Sequence, residues 1–373
     1  MIYLDYSANT PVDPVVLETF LRTEQAYIGN PNSSHPVGQA ARAEMARVTD
    51  SIAALLGVSP VELIYTSGAS ESNNLALKGI AKASRHVGKH IISTALEHSS
   101  VSGTLSALQQ QGWEIDMVDI GQDGTIDLKR LRELLRKDSV LLSISAVDSE
   151  LGTVQPIWQI AELLKSYPNC RLHVDATQAV GKTELVLEGV DTMSIAPHKF
   201  YGLNGSGLLF KRKELVIEPQ IHGGASTTSY RSGTPALALA ASMEKALELA
   251  LTDQLRRIEY VRKLNQQLRA ALTKYPQVQI NSPENAVPHI LNLSVTGVKG
   301  TAFQRALARR DVCVSVKSAC SAGSTPSKAV LAVSRDRKNA LSSWRISLSH
   351  LTTQEELRTF LEAFDVSYKE LIP

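Results

Sequence analysis

Between about residues 35 and 235 the apolar positions follow two periods in turn. Segments with apolar residues three or four positions apart are typical of amphipathic helices, and the short apolar runs between them are typical of buried strands. The predicted helices are 35–58, 71–84, 100–112, 128–137 and 156–167, and the predicted strands are 61–67, 89–98, 113–120, 139–147, 171–177, 191–200 and 205–212. Strands that alternate with helices in this way predict an α/β fold with a mainly parallel sheet between helices.

The pattern changes after Pro235. Residues 236–272 keep a helical period without Gly or Pro, which is too long for one crossover helix and indicates a bridge to a second unit. Beyond it we expect strands at 277–281, 289–295 and 312–316 and helices at 300–310 and 352–364. Thr352 and Glu355 have the spacing of a capping box. We therefore predict two domains, with the boundary inside the long helix near residue 256.

Composition narrows the possible functions. The 373 residues carry 39 Lys+Arg and 37 Asp+Glu, a formal charge of +2, which argues against a nucleic-acid binder. No run of about 18 apolar residues is present, so we expect no membrane helix. The N-terminus lacks the regions of a signal peptide, and three cysteines are too few for a disulfide framework or a zinc site. These features predict a cytosolic protein.

Three sequence features lie where predicted strands end. Tyr65–Asn74 forms a strand-to-helix junction of small residues, where backbone N–H groups and the Ser70 hydroxyl could hold an anion. A helix capped by Ser67 or Ser70 is the alternative. Asp175 ends a strand, where open α/β sheets bind ligands, or it caps the next element. Lys199 follows 24 residues later, after another apolar strand.

Together these features fit one cofactor. Pyridoxal 5'-phosphate needs a lysine for covalent attachment, an acid that faces its ring nitrogen and a cradle for its phosphate. A lone lysine after a strand is usually solvated. Lys199, Asp175 and Tyr65–Asn74 nevertheless lie at strand ends of one predicted sheet, in an order that lets them converge.

Motifs along nearly the whole chain also carry a family resemblance, namely Tyr3–Pro14, Gly29–His35, Tyr65–Asn74, Glu97–Val101, Glu150–Ile157, His173–Lys182, His198–Gly207, Arg231–Pro235, Ser318–Gly323 and Ser342–Leu357. In order and spacing they resemble the cysteine desulfurases of the NifS/IscS-like group, in the pyridoxal-phosphate-dependent class V aminotransferase family. The resemblance implies a fold-type I homodimer. Its large domain would comprise residues 15–256, and a small α+β domain, residues 257–373, would be joined by the N-terminal segment 1–14.

The resemblance assigns most of the cofactor contacts. Lys199 matches the lysine that binds the cofactor covalently and then moves protons, and Asp175 matches the acid that keeps the ring nitrogen protonated. His98 matches a catalytic imidazole stacked on the ring, for which a core histidine is the alternative. The other implied contacts are Gln178 at the phenolic oxygen, Ser149 beside the ring, Ala69, Ser70 and His198 at the phosphate, and Thr234 at the phosphate of the partner subunit.

The substrate contacts come next. Arg345 alternates with Trp344 and Ile346, so its guanidinium lies on the opposite strand face, and it matches the arginine that binds the substrate α-carboxylate. A surface arginine is the alternative. Asn30 matches a position near that carboxylate. Cys320 matches the thiol that attacks the sulfur of L-cysteine, which leaves alanine and a Cys320 persulfide. We expect Cys313 to be a buried core residue and Cys170 to be incidental.

The chain also departs from the family pattern in three places. Ser149 replaces an asparagine that helps to hold the ring, and Ala196 replaces a serine that binds the phosphate. Residues 226–230 lack the usual Glu and Gly. A hydrogen bond to a charged group is worth roughly 1.5–3 kcal/mol, so these losses weaken cofactor binding unless neighbouring residues compensate.

The resulting hypothesis is a pyridoxal-phosphate-dependent cysteine desulfurase. It would pass sulfur to a protein acceptor for iron–sulfur cluster assembly or for thiolation of tRNA or a cofactor. One alternative is a relative that acts on selenocysteine or cysteine sulfinate, where attack by the enzyme thiol is dispensable. Another is a catalytically weak homologue that serves as a binding partner in a sulfur-transfer assembly.

Overall fold

The computed structural model describes residues 1–317 and 325–372. Within these ranges the α-helices are α1 (Pro14–Ala26), α2 (Pro36–Leu56), α3 (Ala69–Ser84), α4 (Ser99–Gln109), α5 (Leu128–Leu134), α6 (Ile157–Leu164), α7 (Leu237–Thr252), α8 (Gln254–Leu272), α9 (Gly300–Ala308), α10 (Lys328–Ser334), α11 (Arg337–Ser342) and α12 (Gln354–Leu371). None of these described helices combines the length and the apolar composition that crossing a bilayer requires.

The strands of the same ranges form three sheets. They are β1 (Ile2–Tyr3), β2 (Leu63–Thr66), β3 (His90–Thr94), β4 (Glu114–Val118), β5 (Ser139–Ser145), β6 (Arg171–Asp175), β7 (Thr192–Ile195), β8 (Gly207–Lys211), β9 (Val278–Ile280), β10 (Ile290–Val295), β11 (Val312–Cys313) and β12 (Ser343–Ser347). The central sheet has the order β2-β8-β7-β6-β5-β3-β4. Strands β4, β3, β5, β6 and β7 are parallel, and β8 and β2 are antiparallel to their neighbours.

Helices cover both faces of the central sheet, as the sequence predicted. Adjacent residues of a strand point to opposite faces. Leu141 of β5 packs in a cluster with residues of α3 and α4, whereas its neighbour Leu142 packs in a cluster with residues of α2 and α6. The mainly parallel α/β fold is therefore confirmed. Strand β8 runs antiparallel because the short connection from β7 contains no crossover helix.

A second hydrophobic cluster joins the two ends of the chain. Strands β9, β10 and β12 form an antiparallel sheet, and β1 pairs with β11 in parallel. The cluster contains Ile2, Leu4 and residues between 261 and 372, with the Trp344 and Phe303 rings stacked 5.1 Å apart. The chain termini thus share a core, and the domain boundary near residue 256 stays a prediction.

The long helix predicted over 236–272 is two helices. The chain leaves helical geometry at Asp253, where φ is −98° and ψ is 7°, and α8 begins at the next residue. Thr252 and Asp253 both have low helix propensity. The Asp253 carboxylate also accepts a hydrogen bond from Arg256 Nη2 at 2.8 Å, so its side chain is used locally at the break.

Local geometry sets the C-terminus of α2 and the N-terminus of α12, and the capping box predicted for α12 is wrong by one residue. Gly57 ends α2 with φ 68°, a left-handed conformation that glycine adopts without strain. The capping box of α12 uses Thr353 and Glu356, one residue later than the predicted Thr352 and Glu355. The Thr352 hydroxyl instead accepts a hydrogen bond from the Ser349 N–H at 3.0 Å, which fixes it in the preceding turn.

Buried histidines predict that acid destabilises the fold. Burial lowers the pKa of His98 and His289, and brings the pKa of His173, His198 and His350 to about 4. An unperturbed histidine has a pKa of about 6.5, so these five histidines bind fewer protons in the folded chain than in the unfolded chain between roughly pH 4 and 6.5. Two buried carboxylates, Glu97 with a pKa of about 8 and Asp148 with a pKa of about 7, act in the opposite direction but are outnumbered. The free energy of unfolding should therefore fall as the pH is lowered through this window.

Urea unfolding at pH 7, 6 and 5 measures this dependence. Replacing His289 by leucine should flatten it by up to about 1.4 kcal/mol per pH unit, the most that one histidine can contribute. An unfolding free energy that stays constant from pH 7 to 5 would contradict the prediction.

Candidate active site

A cavity of about 350 Å³ lies at the carboxyl ends of β5 and β6. Loops at these ends are where open α/β sheets bind ligands. Among the residues that line it are nine of the predicted site residues: Ala69, Ser70, His98, Ser149, Asp175, Gln178, His198, Lys199 and Arg345. The fold therefore brings together side chains that are up to 276 positions apart, as 345 − 69 gives.

Two predicted residues lie outside this cavity. Asn30 is not among its lining residues, and its side-chain oxygen accepts a hydrogen bond from the Asn32 N–H at 2.9 Å. Thr234 lines a neighbouring cavity of about 110 Å³, which shares Ser67 and Gly205 with the main one. The carboxylate contact of Asn30 and the partner-subunit contact of Thr234 stay predictions.

The structure describes Cys170 and Cys313, whereas Cys320 lies outside the described residues. Lys317 and Thr325, on either side of that segment, are described, and the Lys317 ammonium donates to the Thr325 hydroxyl at 2.8 Å. Cys170 is buried, which raises the pKa of its thiol to about 12. Cys313 is partly exposed on the short edge strand β11, so the expectation of a buried core residue is wrong.

The first turn of α3 forms a cradle at the cavity wall. Its N-cap is Gly68, with φ 154°, and no side chain caps the helix, so the predicted alternative of a cap by Ser67 or Ser70 is not observed. A Cβ on Gly207 would lie 2.5 Å from the Gly68 Cα, so the two glycines allow β8 to pass against the turn. Uncapped N–H groups at a helix N-terminus attract anions.

A charged pair flanks this cradle. Glu71 Oε2 accepts from the Ser67 N–H at 2.7 Å, and its Oε1 accepts from Arg231 Nε at 2.9 Å. Burial raises the pKa of Glu71, but hydrogen bonds from Arg231 and Ser67 outweigh it and the net pKa is lowered. Arg231, for which the sequence suggested no role, therefore brings a cation to the first turn of α3.

Asp175 ends β6 inside the cavity wall and is 5% exposed. Its Oδ1 accepts from the Thr177 N–H at 3.0 Å, and its Oδ2 accepts from the Asn73 side-chain amide at 2.8 Å. Asp175 thus both caps the following turn and faces the cavity. Asn73 lies within the motif Tyr65–Asn74, but nothing in the sequence distinguished it from its neighbours.

The N-terminal segment reaches into the cavity beside Lys199. Lys199 Nζ donates to the carbonyl oxygens of Ser7 at 2.8 Å and Ala8 at 2.6 Å, and Gln178 Nε2 donates to the same Ser7 oxygen at 2.8 Å. Lys182 Nζ donates to Gln178 Oε1 at 2.7 Å. Burial and the charges of Lys199 and Arg345 lower the pKa of Lys182 to about 7. Sequence reasoning missed the roles of Ser7, Ala8 and Lys182.

Arg345 presents its guanidinium to the cavity from β12 and is 1% exposed. Its Nη2 pairs with Asp5 Oδ1 at 3.0 Å, and its Nη1 donates to the Ser149 carbonyl oxygen at 2.6 Å. Its Nε is buried without a hydrogen-bond partner among the described residues. Trp344 and Ile346 pack in the core on the opposite face, as the alternation predicted.

Comparison with known proteins agrees with this arrangement. The profile of the family described as Aminotransferase class-V matches residues 2–360. A "NifS/IcsS protein homolog" of Lactobacillus delbrueckii subsp. bulgaricus is 37% identical over 375 residues, with 99% of this chain and 97% of that protein covered. A "Cysteine desulfurase IscS" of Proteus mirabilis is 39% identical over 370 residues, with 97% and 91% covered.

Solved structures of similar proteins share the fold of this chain. A "NIFS-LIKE PROTEIN" superposes with a TM-score of 0.93 at 32% identity and covers 99% of this chain and 100% of its own. A structure titled "SspA in complex with cysteine" superposes with a TM-score of 0.83 at 30% identity, with 95% and 100% covered. Sequence, fold and cavity lining agree, and the chain belongs to the aminotransferase class-V family.

Proposed function

We propose that this protein is a pyridoxal-phosphate-dependent cysteine desulfurase. It takes the sulfur of L-cysteine as a persulfide on Cys320, releases L-alanine and passes the sulfur to a protein acceptor. The observation that carries the proposal is the convergence of Lys199, Asp175 and the uncapped N-terminus of α3 on one cavity. Full-length relatives named cysteine desulfurase IscS, 36–40% identical, support the same activity.

The residues present fit this cofactor. The cradle at Gly68 leaves backbone N–H groups for a phosphate, and the buried Asp175 carboxylate offers an anion to a protonated ring nitrogen. Lys199 Nζ supplies the amine for covalent attachment. When bound, the cofactor serves as an electron sink for reaction at the substrate α-carbon.

The remaining side chains bind and orient the substrate. Arg345 lines the cavity and is held by Asp5 and the Ser149 carbonyl, so its guanidinium is placed to bind the α-carboxylate of the amino acid. Lys199, released from its attachment, takes the α-proton on Nζ. The Cys320 thiolate then attacks the substrate sulfur. The carbon–sulfur bond breaks and a sulfur–sulfur bond forms, with the electron pair left on the β-carbon. The β-carbon takes up the proton of the substrate thiol, and the α-carbon regains its proton from Lys199 Nζ, which gives alanine.

Of the residues that depart from the family pattern, Ser149 lines the main cavity, whereas Ala196 and residues 226–230 do not. Ser149 reaches Arg345 through its carbonyl oxygen, a contact that does not depend on its side chain. Ala196 is fully buried and offers no hydroxyl. Residues 226–230 do not line the main cavity, and Thr227 lines the neighbouring one. These positions leave Lys199 and Asp175 in place, which supports an active enzyme.

Assay of the purified protein tests the proposal. L-Cysteine alone should yield alanine and persulfide sulfur in equal amounts, and the protein should show a visible absorption band that shifts on adding L-cysteine. A protein that carries no such band and releases no alanine would be the weak homologue. Selenocysteine or cysteine sulfinate turning over much faster than L-cysteine would indicate the alternative substrate class.

Replacing Arg345 by lysine should raise the KM for L-cysteine about tenfold or more and change kcat less. Lysine keeps the charge but cannot hold Asp5, Ser149 and a carboxylate at once, and a charged hydrogen bond is worth roughly 1.5–3 kcal/mol. Initial rates against L-cysteine concentration measure both constants. Exposed Arg305, changed to lysine, is the matched control. An unchanged KM in the Arg345→Lys variant would show that Arg345 does not bind the substrate.

The assembly and location of the protein are part of the same proposal. Thr234 lies outside the main cavity of its own chain, which supports a homodimer in which it reaches the cofactor phosphate of the partner subunit. A single-chain mass in solution by light scattering, with cofactor bound, would contradict the dimer. The sulfur acceptor and the cytosolic location stay predictions.

A further inference from the structure

A chain of hydrogen bonds behind the cavity joins Asp175 to His98 through Asn73. Asn73 is fully buried at the second turn of α3. Its Nδ2 donates to Asp175 Oδ2 at 2.8 Å and to Ser100 Oγ at 2.9 Å. Ser100 Oγ in turn lies 2.9 Å from His98 Nδ1. Each hydrogen in this chain can be assigned because some of the groups are donors only or acceptors only.

The orientation of the Asn73 amide is fixed at both ends. An ionised Asp175 carboxylate can only accept, so the atom that faces it must be the NH₂ nitrogen. The amide oxygen then faces His173 Nε2 at 3.0 Å, and that nitrogen must carry a proton. The other ring nitrogen, Nδ1, lies 2.9 Å from the Thr192 hydroxyl, which can donate to it. Burial lowers the pKa of His173 to about 4, so the ring is neutral at pH 7 and Nδ1 accepts from Thr192.

The same logic assigns the proton of His98. The backbone N–H of Ser100 donates to His98 Nδ1 at 3.2 Å, and a backbone N–H cannot accept. Nδ1 therefore carries no proton. Since Ser100 Oγ already accepts from Asn73, its own hydrogen is directed to the same Nδ1. The proton of the neutral ring lies on Nε2, which has no hydrogen-bond partner among the described residues, and the ring lines the cavity.

We propose that Asn73 and Ser100 are positioning residues that hold His98 as the neutral Nε2-protonated tautomer. In this form His98 donates a hydrogen bond into the cavity and cannot act as a base there. The group opposite Nε2 must then bear a lone pair, and the thiolate sulfur of L-cysteine is the group that the proposed function supplies. The identity of that group rests on the proposed function, whereas the tautomer does not.

Burial supports a neutral ring. It is the largest effect on His98 and lowers the pKa of the imidazole, and the Lys199 charge lowers it further while Asp175 raises it. An imidazolium at this position would also place a second proton on Nδ1, against the Ser100 N–H. The hydrogen bonds and the burial therefore favour the same state.

NMR of the holoprotein with ¹⁵N-labelled histidine tests the inference. The chain has 9 histidines, and the His98 signals are identified by their loss in a His98→Gln variant. We expect wild-type Nδ1 at the frequency of an unprotonated nitrogen and Nε2 at that of a protonated one. In Ser100→Ala the Nδ1 resonance should move, since one of its two donors is gone, and kcat should fall about tenfold.

Two further variants make the result specific. Ser100→Thr keeps a hydroxyl and should restore both the Nδ1 resonance and kcat, whereas exposed Ser106→Ala in the same helix should change neither. A wild-type His98 protonated on Nδ1, or a Ser100→Ala spectrum identical to wild type at His98, would overturn the inference. If L-cysteine is not a substrate, the proposed function is wrong. The NMR spectra still report the His98 tautomer in that case, so they test the inference independently.

Discussion

Replacing Lys199 by alanine is expected to abolish alanine release from L-cysteine while the protein stays folded. The side chain provides both the attachment of the cofactor and the group that moves the α-proton, and loss of a proton-transfer group alone costs about 10²–10⁴-fold. The Lys199 ammonium contacts the carbonyl oxygens of Ser7 and Ala8 at the cavity. Because these contacts lie outside the central sheet, removing the lysine side chain should leave the sheet intact. Product assay, absorption spectrum and thermal unfolding should be measured on one preparation.

Lys137→Ala provides the matched control. Lys137 is an exposed lysine that does not line the cavity, and its loss should change neither the spectrum nor the rate. If Lys199→Ala retained more than a few per cent of the wild-type rate, another group would have to carry the cofactor. The assignment of the cavity as the catalytic site would then be wrong.

Replacing Cys320 by serine should remove persulfide formation and lower alanine release more than about 100-fold. A cysteine is a few per cent thiolate at neutral pH and is intrinsically nucleophilic, whereas a serine hydroxyl is not ionised without a base beside it. The cofactor should bind normally, because Lys199, Asp175 and the cradle at Gly68 are untouched. Mass spectrometry of the protein after addition of L-cysteine detects the added sulfur, and amino-acid analysis detects alanine.

Cys313→Ser is the control for this change, since Cys313 is the described cysteine that is partly exposed. It should form the persulfide at the wild-type rate. Undiminished alanine release by Cys320→Ser would instead favour a selenocysteine- or sulfinate-type reaction, in which the enzyme thiol is not required.

The parts of the fold that sequence predicted are those set by hydrophobic periodicity. Alternate residues of the central strands enter different cores, as Leu141 and Leu142 do, so each strand reads as a continuous apolar run. Periodicity does not report where a helix stops. The break at Asp253 and the shift of the capping box to Thr353 depend on which side chains find local hydrogen-bond partners.

The candidate site was predicted through residues whose chemistry is distinctive. Asp175 and Arg345 are charged groups on strands, Lys199 is a charged group in the turn after β7, and their convergence followed from the topology. Asn73 and Lys182 were missed because their roles depend on partners 102 and 4 positions away, respectively. Ser7 was missed because it contributes its backbone carbonyl oxygen, a group that every residue has and that the sequence therefore does not single out.

The departures at Ser149 and Ala196 show a further limit of sequence reasoning. The loss of a side-chain contact can be read from the sequence, but the carbonyl contact that Ser149 makes to Arg345 cannot. Backbone atoms are available whichever residue is present. Whether a substitution weakens a site therefore depends on which atoms of the residue were in use.

Reduction of the holoenzyme with borohydride, followed by peptide mass mapping, tests the central claim most directly. Reduction makes the link between cofactor and protein permanent, so the modified residue can be identified by mass. The account predicts one added pyridoxyl phosphate group per chain, on Lys199. A fully loaded protein in which Lys199 is unmodified, or in which Lys182 carries the group, would contradict it.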